Sequence, residues 1–97
     1  MMDAASRTHI LALARQAHAL TESAYTADPA TKGQPGWSSK QRVLLADMAL
    51  HLVQSALREG DIDTTTLSNN LYSILTISAP FLPAKGLDDY ADAIIQP

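Results

Sequence analysis

The feature that most constrains this chain is the segment 38–59, which contains neither proline nor glycine and is followed by Gly60. Ser38 and Gln41 have the spacing of a capping box, in which two side chains satisfy free backbone donors at the start of a helix. Gly60 readily adopts the left-handed conformation that ends a helix. The segment is therefore predicted to be a helix with well-marked ends.

Apolar residues cover more than half the circumference of this predicted helix. At 100° per residue, the large ones form two lines about 160° apart around the axis. Because an ordinary surface helix buries one narrower stripe, this helix needs neighbours on nearly opposite sides. It is predicted to be the central helix of the fold. The large apolar residues are Val43, Leu45, Met48, Leu50, Leu52, Val53 and Leu57.

Three other segments, 3–26, 64–79 and 87–95, also carry apolar residues at helical spacing. Segment 27–37 contains two prolines and two glycines and is predicted to be a long surface loop. A chain of 97 residues has room for one hydrophobic core. The sequence thus predicts an all-α domain over residues 1–97, a small antiparallel bundle of three to four helices. The predicted core face of the first helix consists of Ile10, Leu13, Ala14, Ala17, Leu20 and Ala24.

Composition narrows the class of function. The formal net charge is −3 and the seven basic residues are scattered, so the chain lacks the basic patch that binds nucleic acid. The absence of cysteine removes disulfides and thiolate chemistry. No run of 18 apolar residues is present and the N-terminus lacks the basic region of a secretory signal, so we expect no membrane partner and a cytoplasmic location.

The three histidines raise the question of a metal site. His9 and His18 are nine residues apart, which places them about 180° apart around one helix, so they cannot share an ion. His51 has Asp47 one turn earlier, a spacing that is common on solvated helix faces. We therefore expect no metal site. The sequence also contains no nucleophile elbow, phosphate-binding loop or dinucleotide fingerprint, so no cofactor and no catalytic residue are expected.

The string Ala17, His18, Ala19 and Leu20 resembles the start of the motif of histidine phosphotransfer domains, which are four-helix bundles of about this size. The resemblance covers only these residues and implies phosphorylation of His18. In that family a lysine and then a glycine follow, whereas this chain has Thr21 and Glu22. An acid beside a phosphohistidine would repel it. Histidine phosphotransfer is therefore the third of three functional hypotheses.

The leading hypothesis comes from polar residues on the second predicted helix. Asp47, His51, Gln54 and Arg58 lie along its polar side, next to whatever covers the apolar arc, where charges can select a partner. The same pattern is typical of the solvated edge of a buried helix. Tyr72 projects away from the apolar face of the third helix, and tyrosine is enriched where proteins meet. These five residues are the predicted partner-binding residues.

We therefore predict a small cytoplasmic protein–protein interaction or regulatory module that binds through a helix face and is not an enzyme. An adaptor, an assembly chaperone, an antiactivator or an immunity-type inhibitor fits this description, as a homodimer or a hetero-complex. The alternative is a small-molecule binder or enzyme with a pocket between helices, using His51 and Asp47, or His18, as its polar groups.

Overall fold

The structure is a computed structural model that describes residues 2–96. Its helices are α1 (Ala4–Ala27), α2 (Trp37–Leu57), α3 (Thr64–Ser78) and α4 (Leu87–Ile95), with a short 3-10 turn, Ala79–Phe81, after α3. Residues 2–96 contain no β-strand. The predicted all-α fold is confirmed.

Aspartates cap the first and third helices. The Asp3 carboxylate accepts a hydrogen bond from the backbone N–H of Ser6 at the start of α1. The Asp63 carboxylate accepts from the N–H groups of Thr65 and Thr66 at the start of α3. The backbone bond from Ser6 lowers the pKa of Asp3, and the bond from Thr66 lowers the pKa of Asp63, because each bond stabilises the ionised carboxyl.

The start of α2 differs from the predicted capping box. The helix begins at Trp37, with Gly36 at its N-cap and no side chain bonded there. The Trp37 N–H donates to the carbonyl of Gln34, and the Lys40 N–H donates to that of Gly36. The chain is thus already turning helically before Ser38, so Ser38 lies inside the helix and not at the N-cap position that a capping box requires.

The other helix ends lie within two residues of the predicted ones. α2 ends at Leu57, two residues early, because Arg58 has an extended backbone with ψ of 147°. α1 extends one residue further than predicted, to Ala27, and α3 stops one residue earlier, at Ser78. α4 has the predicted bounds, and its N-cap is Gly86 with φ of +69°.

The connection between α1 and α2 is held by Lys40. Its ammonium donates hydrogen bonds to the carbonyls of Asp28 and Ala30, at 2.8 and 3.1 Å. The same ammonium lies 4.7 Å from the centre of the Tyr25 ring, a cation–π distance. Hydrogen bonds from the first turn of α2 therefore hold the start of the predicted surface loop in place.

Each helix packs mainly on its neighbour in the sequence: α1 on α2, α2 on α3, and α3 on α4. α2 lies between α1 and α3, as predicted for the central helix. The Cα dimensions are 44 × 35 × 17 Å and the radius of gyration is 15.1 Å. A compact chain of this length has a radius of about 12.5 Å. The bundle is therefore an open, thin slab.

The slab has little interior. Among residues 2–96 the buried apolar residues are Ala14, Ala30 and Ala91, and no large side chain is fully buried. The seven large apolar residues predicted to surround α2, and Leu44 on the same helix, are all half-buried. Among the residues predicted to face the core, Leu13 and Leu20 are 52% and 73% exposed, and Ala24 is exposed as well. The prediction is wrong for these three because α1 turns Ala14 and the side next to it toward α2, which leaves one edge of its apolar stripe outside.

Candidate functional site

The antiparallel packing of α1 on α2 brings a group of polar side chains together at mid-length of both helices. His18 and Thr21 of α1 meet Asp47 and His51 of α2, and we call these four residues the polar cluster. Each pair is one helical turn apart in the sequence, so both members lie on the same side of their helix. The polar cluster therefore occupies the contact between the two helices.

Two imidazoles face each other in the polar cluster. The Nε2 atoms of His18 and His51 are 2.8 Å apart, which requires that one ring donates its N–H to the other. The ring centres are 4.3 Å apart, with the planes at 75°. The Asp47 carboxylate lies against both rings, with Oδ1 3.4 Å from the Nε2 of His18 and Oδ2 3.5 Å from that of His51.

Asp47 is the most buried member of the polar cluster, since only 8% of the residue is exposed. The hydroxyl of Thr21 donates a hydrogen bond of 2.6 Å to its Oδ1. On the outer side of His18, the Glu22 carboxylate is 3.6 Å from Nε2, and its side chain is 68% exposed. The His51 side chain is 41% exposed, so small solutes can reach the polar cluster from that side.

The sequence prediction missed the histidine pair. Helical spacing relates His18 to His9 and His51 to Asp47, each within one helix, whereas the structure joins His18 to His51 across two helices. His9 is exposed. The pair could have been found from the order of the helices. If α2 runs antiparallel to α1 after the 28–36 connection, the middle of α2 lies beside the middle of α1.

A second polar contact joins α2 to α3. The Ser55 hydroxyl donates a hydrogen bond to Oδ1 of Asn70, which is 8% exposed. This pair and His51 line a pocket of about 200 Å³. Pockets that hold small molecules usually have volumes of about 300–1,000 Å³, so this one is small for a ligand site. The hypothesis of a small-molecule binder stays a prediction.

The five predicted partner-binding residues occupy different settings. Asp47 is buried in the polar cluster and His51 is half-buried beside it. Gln54 is half-buried and its amide donates to the Leu50 carbonyl of the same helix. Arg58 is exposed just after α2, and Tyr72 is half-buried on α3. Their contact with a partner stays a prediction.

An apolar surface lies on the other side of the α1–α2 pair. Leu20 is two residues after His18, which places the two side chains about 160° apart around α1. Leu20 lines an open groove of about 500 Å³ between the helices. We call this surface the apolar face; it consists of Leu13, Leu20, Ala24, Val43 and Ala46, of which all but Leu13 line the groove.

Comparisons of the chain with protein-family models, with curated proteins and with solved structures found no match. Among residues 2–96, no helix has both the length and the apolar composition that crossing a bilayer requires. The functional proposals therefore depend on the side chains and surfaces of the chain itself.

Proposed function

We propose that the chain is a small protein–protein interaction module that acts as a homodimer, with the apolar face of one copy packed on the apolar face of the other. The observation that carries the proposal is the exposed surface. The chain exposes 6714 Å², whereas a folded monomer of 10.4 kDa exposes about 5,400 Å². Each copy thus exposes roughly 1,300 Å² more than a typical monomer of its mass.

That surplus area matches what a stable dimer needs. If both copies covered it, the interface would bury about 2,600 Å² in total, which lies in the range of obligate homodimers, about 2,000–5,000 Å². The slab shape accounts for the surplus, because a thin layer leaves two broad surfaces in water. Pairing two slabs would create the second layer that a helical domain ordinarily has.

The composition of the apolar face suits a contact between identical copies. Its residues are aliphatic, and the rest of the groove lining consists of Thr21, Ser39 and one charged side chain, Arg42. Cores of homodimer interfaces are depleted in charge and rich in apolar area. In a two-fold dimer the same patch of both copies forms the interface, so the Leu20 of each copy, which is 73% exposed in the single chain, would be covered.

This arrangement leaves other residues for further partners. Arg58 is exposed at the end of α2, and Gln54 and Tyr72 are half-buried. In an adaptor, chaperone, antiactivator or immunity-type inhibitor, such side chains would select the partner while the apolar face holds the dimer. Phosphotransfer is a weaker proposal because it requires an exposed histidine, and the His18 side chain is 21% exposed with Nε2 turned to His51.

The test is the mass of the chain in solution by light scattering at micromolar concentration. We expect twice the mass of the 10.4 kDa chain, and we expect Leu20→Glu to give the single-chain mass because it places a charge at the centre of the contact. The matched control is Leu82→Glu, at a leucine that is 51% exposed after α3. A single-chain mass for the unaltered protein would overturn the homodimer.

A further inference from the structure

We propose that the polar cluster is a binding site for a divalent transition-metal ion of the zinc type, with His18, Asp47 and His51 as ligands and a fourth position for water or for Glu22, whose exposed carboxylate lies beside His18. Within residues 2–96, ligand atoms of the first three residues all lie within 4.8 Å of one another. The two imidazoles come from different helices, so an ion would tie α1 to α2.

The spacing of the ligand atoms fits a tetrahedral ion. With bonds of about 2.0–2.1 Å, the ligands of a tetrahedral zinc ion lie about 3.3 Å apart. Oδ1 of Asp47 lies 3.4 Å from the Nε2 of His18, Oδ2 lies 3.5 Å from the Nε2 of His51, and the Glu22 carboxylate lies 3.6 Å from the Nε2 of His18. To bind one ion, the two Nε2 atoms, at 2.8 Å, must separate slightly, and the Asp47 carboxylate must turn so that one of its oxygens faces both imidazoles.

The donor set selects the class of ion. Imidazole nitrogens bind zinc, copper, nickel and iron, whereas calcium and magnesium prefer oxygen ligands alone. The carboxylates of Asp47 and Glu22 together offset the two positive charges of the ion. Such a balance removes most of the cost of placing an ion between two helices.

The surroundings of Asp47 hold it in place for this role. The Thr21 hydroxyl donates to Oδ1, which leaves Oδ2 with a lone pair directed to the side of His51. Hydrogen bonds of this kind orient the ligands of metal sites. Thr21 is therefore a positioning residue for the ion, and the 41% exposure of His51 provides a path for entry.

Binding has a defined proton balance. In the histidine pair one Nε2 carries a hydrogen and the other accepts it. An ion needs the lone pairs of both Nε2 atoms, so the donating ring changes tautomer: its Nε2 hydrogen leaves to solvent and its Nδ1 takes up one from solvent, with no net release of protons. No redox change is involved.

The test is calorimetric titration of the untagged full chain with zinc chloride. We expect saturable uptake of one ion per chain. His51→Gln should weaken the affinity by more than about 100-fold, and Thr21→Val by roughly 10- to 100-fold, which is the usual effect of losing an orienting partner. His9→Gln, at the exposed histidine on the same helix as His18, is the matched control and should bind as the unaltered chain does.

A second readout separates metal binding from a purely structural role of the polar cluster. Cobalt added to the unaltered chain should give the visible absorption of a tetrahedral site, and His18→Gln should abolish it even where circular dichroism shows an intact fold. Absence of saturable zinc uptake by the unaltered chain would overturn the proposal and leave a hydrogen-bonded cluster. Equal weakening by His9→Gln and His51→Gln would overturn it as well.

Discussion

Replacing Leu20 with alanine should weaken the proposed dimer without changing the stability of the single chain. Full burial of a leucine side chain contributes about 1.5–3 kcal/mol. Since Leu20 is 73% exposed in the single chain, covering its exposed part at an interface contributes roughly 1–2 kcal/mol per copy. In a two-fold contact both copies bury this side chain. Leu20→Ala is therefore expected to weaken the proposed dimer by about 2–4 kcal/mol, which raises its Kd by about 30- to 700-fold.

The same change should leave the single chain almost unaffected. Leu20 makes few contacts within its own chain, so the free energy of unfolding of the monomer should change by less than about 0.5 kcal/mol. Sedimentation equilibrium over a range of concentrations measures the Kd, and urea unfolding at low concentration measures the monomer. Leu82→Ala is the matched control, as a leucine that is 51% exposed away from the apolar face. An equal rise in Kd for both variants would refute the placement of the interface.

Three further predictions concern the fold. Because the folded pKa of Asp63 is lowered, its contribution is complete above about pH 5 and lost as the pH falls through that pKa. Asp63→Ala should thus lower the Tm more at about pH 7 than at about pH 3, and an equal effect at both would contradict this. Asn70→Ala should cost about 0.5–1.5 kcal/mol in urea unfolding because it removes the Ser55–Asn70 hydrogen bond and leaves Ser55 with the His51 carbonyl as its acceptor, whereas exposed Asn69→Ala should cost under about 0.5 kcal/mol. Ala84 has φ of +66°, so Ala84→Gly should stabilise the chain by about 0.5–1 kcal/mol, whereas Ala93→Gly within α4 should destabilise it by about 1 kcal/mol. A loss of stability for Ala84→Gly would show that the position is not strained.

Local signals explain how much of the fold the sequence could predict. Helical spacing and the acids at the start of α4 predict its bounds, 87–95, because both signals act within a single helix. The start of α2 depends on hydrogen bonds from the preceding turn, between Gln34 and Trp37, as well as on the capping pattern at Ser38. The capping pattern alone therefore places the start one residue late.

Helical periodicity could not predict the polar cluster. His18 and His51 are 33 positions apart in the sequence, and their contact depends on the register of α1 against α2. Periodicity shows which side of a helix is apolar, but it does not show which neighbour covers that side. For the same reason Leu20 was predicted to face the core, although the structure exposes it.

The order in which the helices pack also bears on how the chain acquires its structure. Every major contact joins helices that are consecutive in the sequence, so the contact order is low, and the longest connection that has to close is the one between α1 and α2. Chains of this kind fold rapidly. Because α4 packs chiefly on α3, it can detach without disturbing the first helical pair, as end units do in linear repeat proteins. The polar cluster and the apolar face both belong to that first pair, and they would persist while the C-terminal end opens and closes.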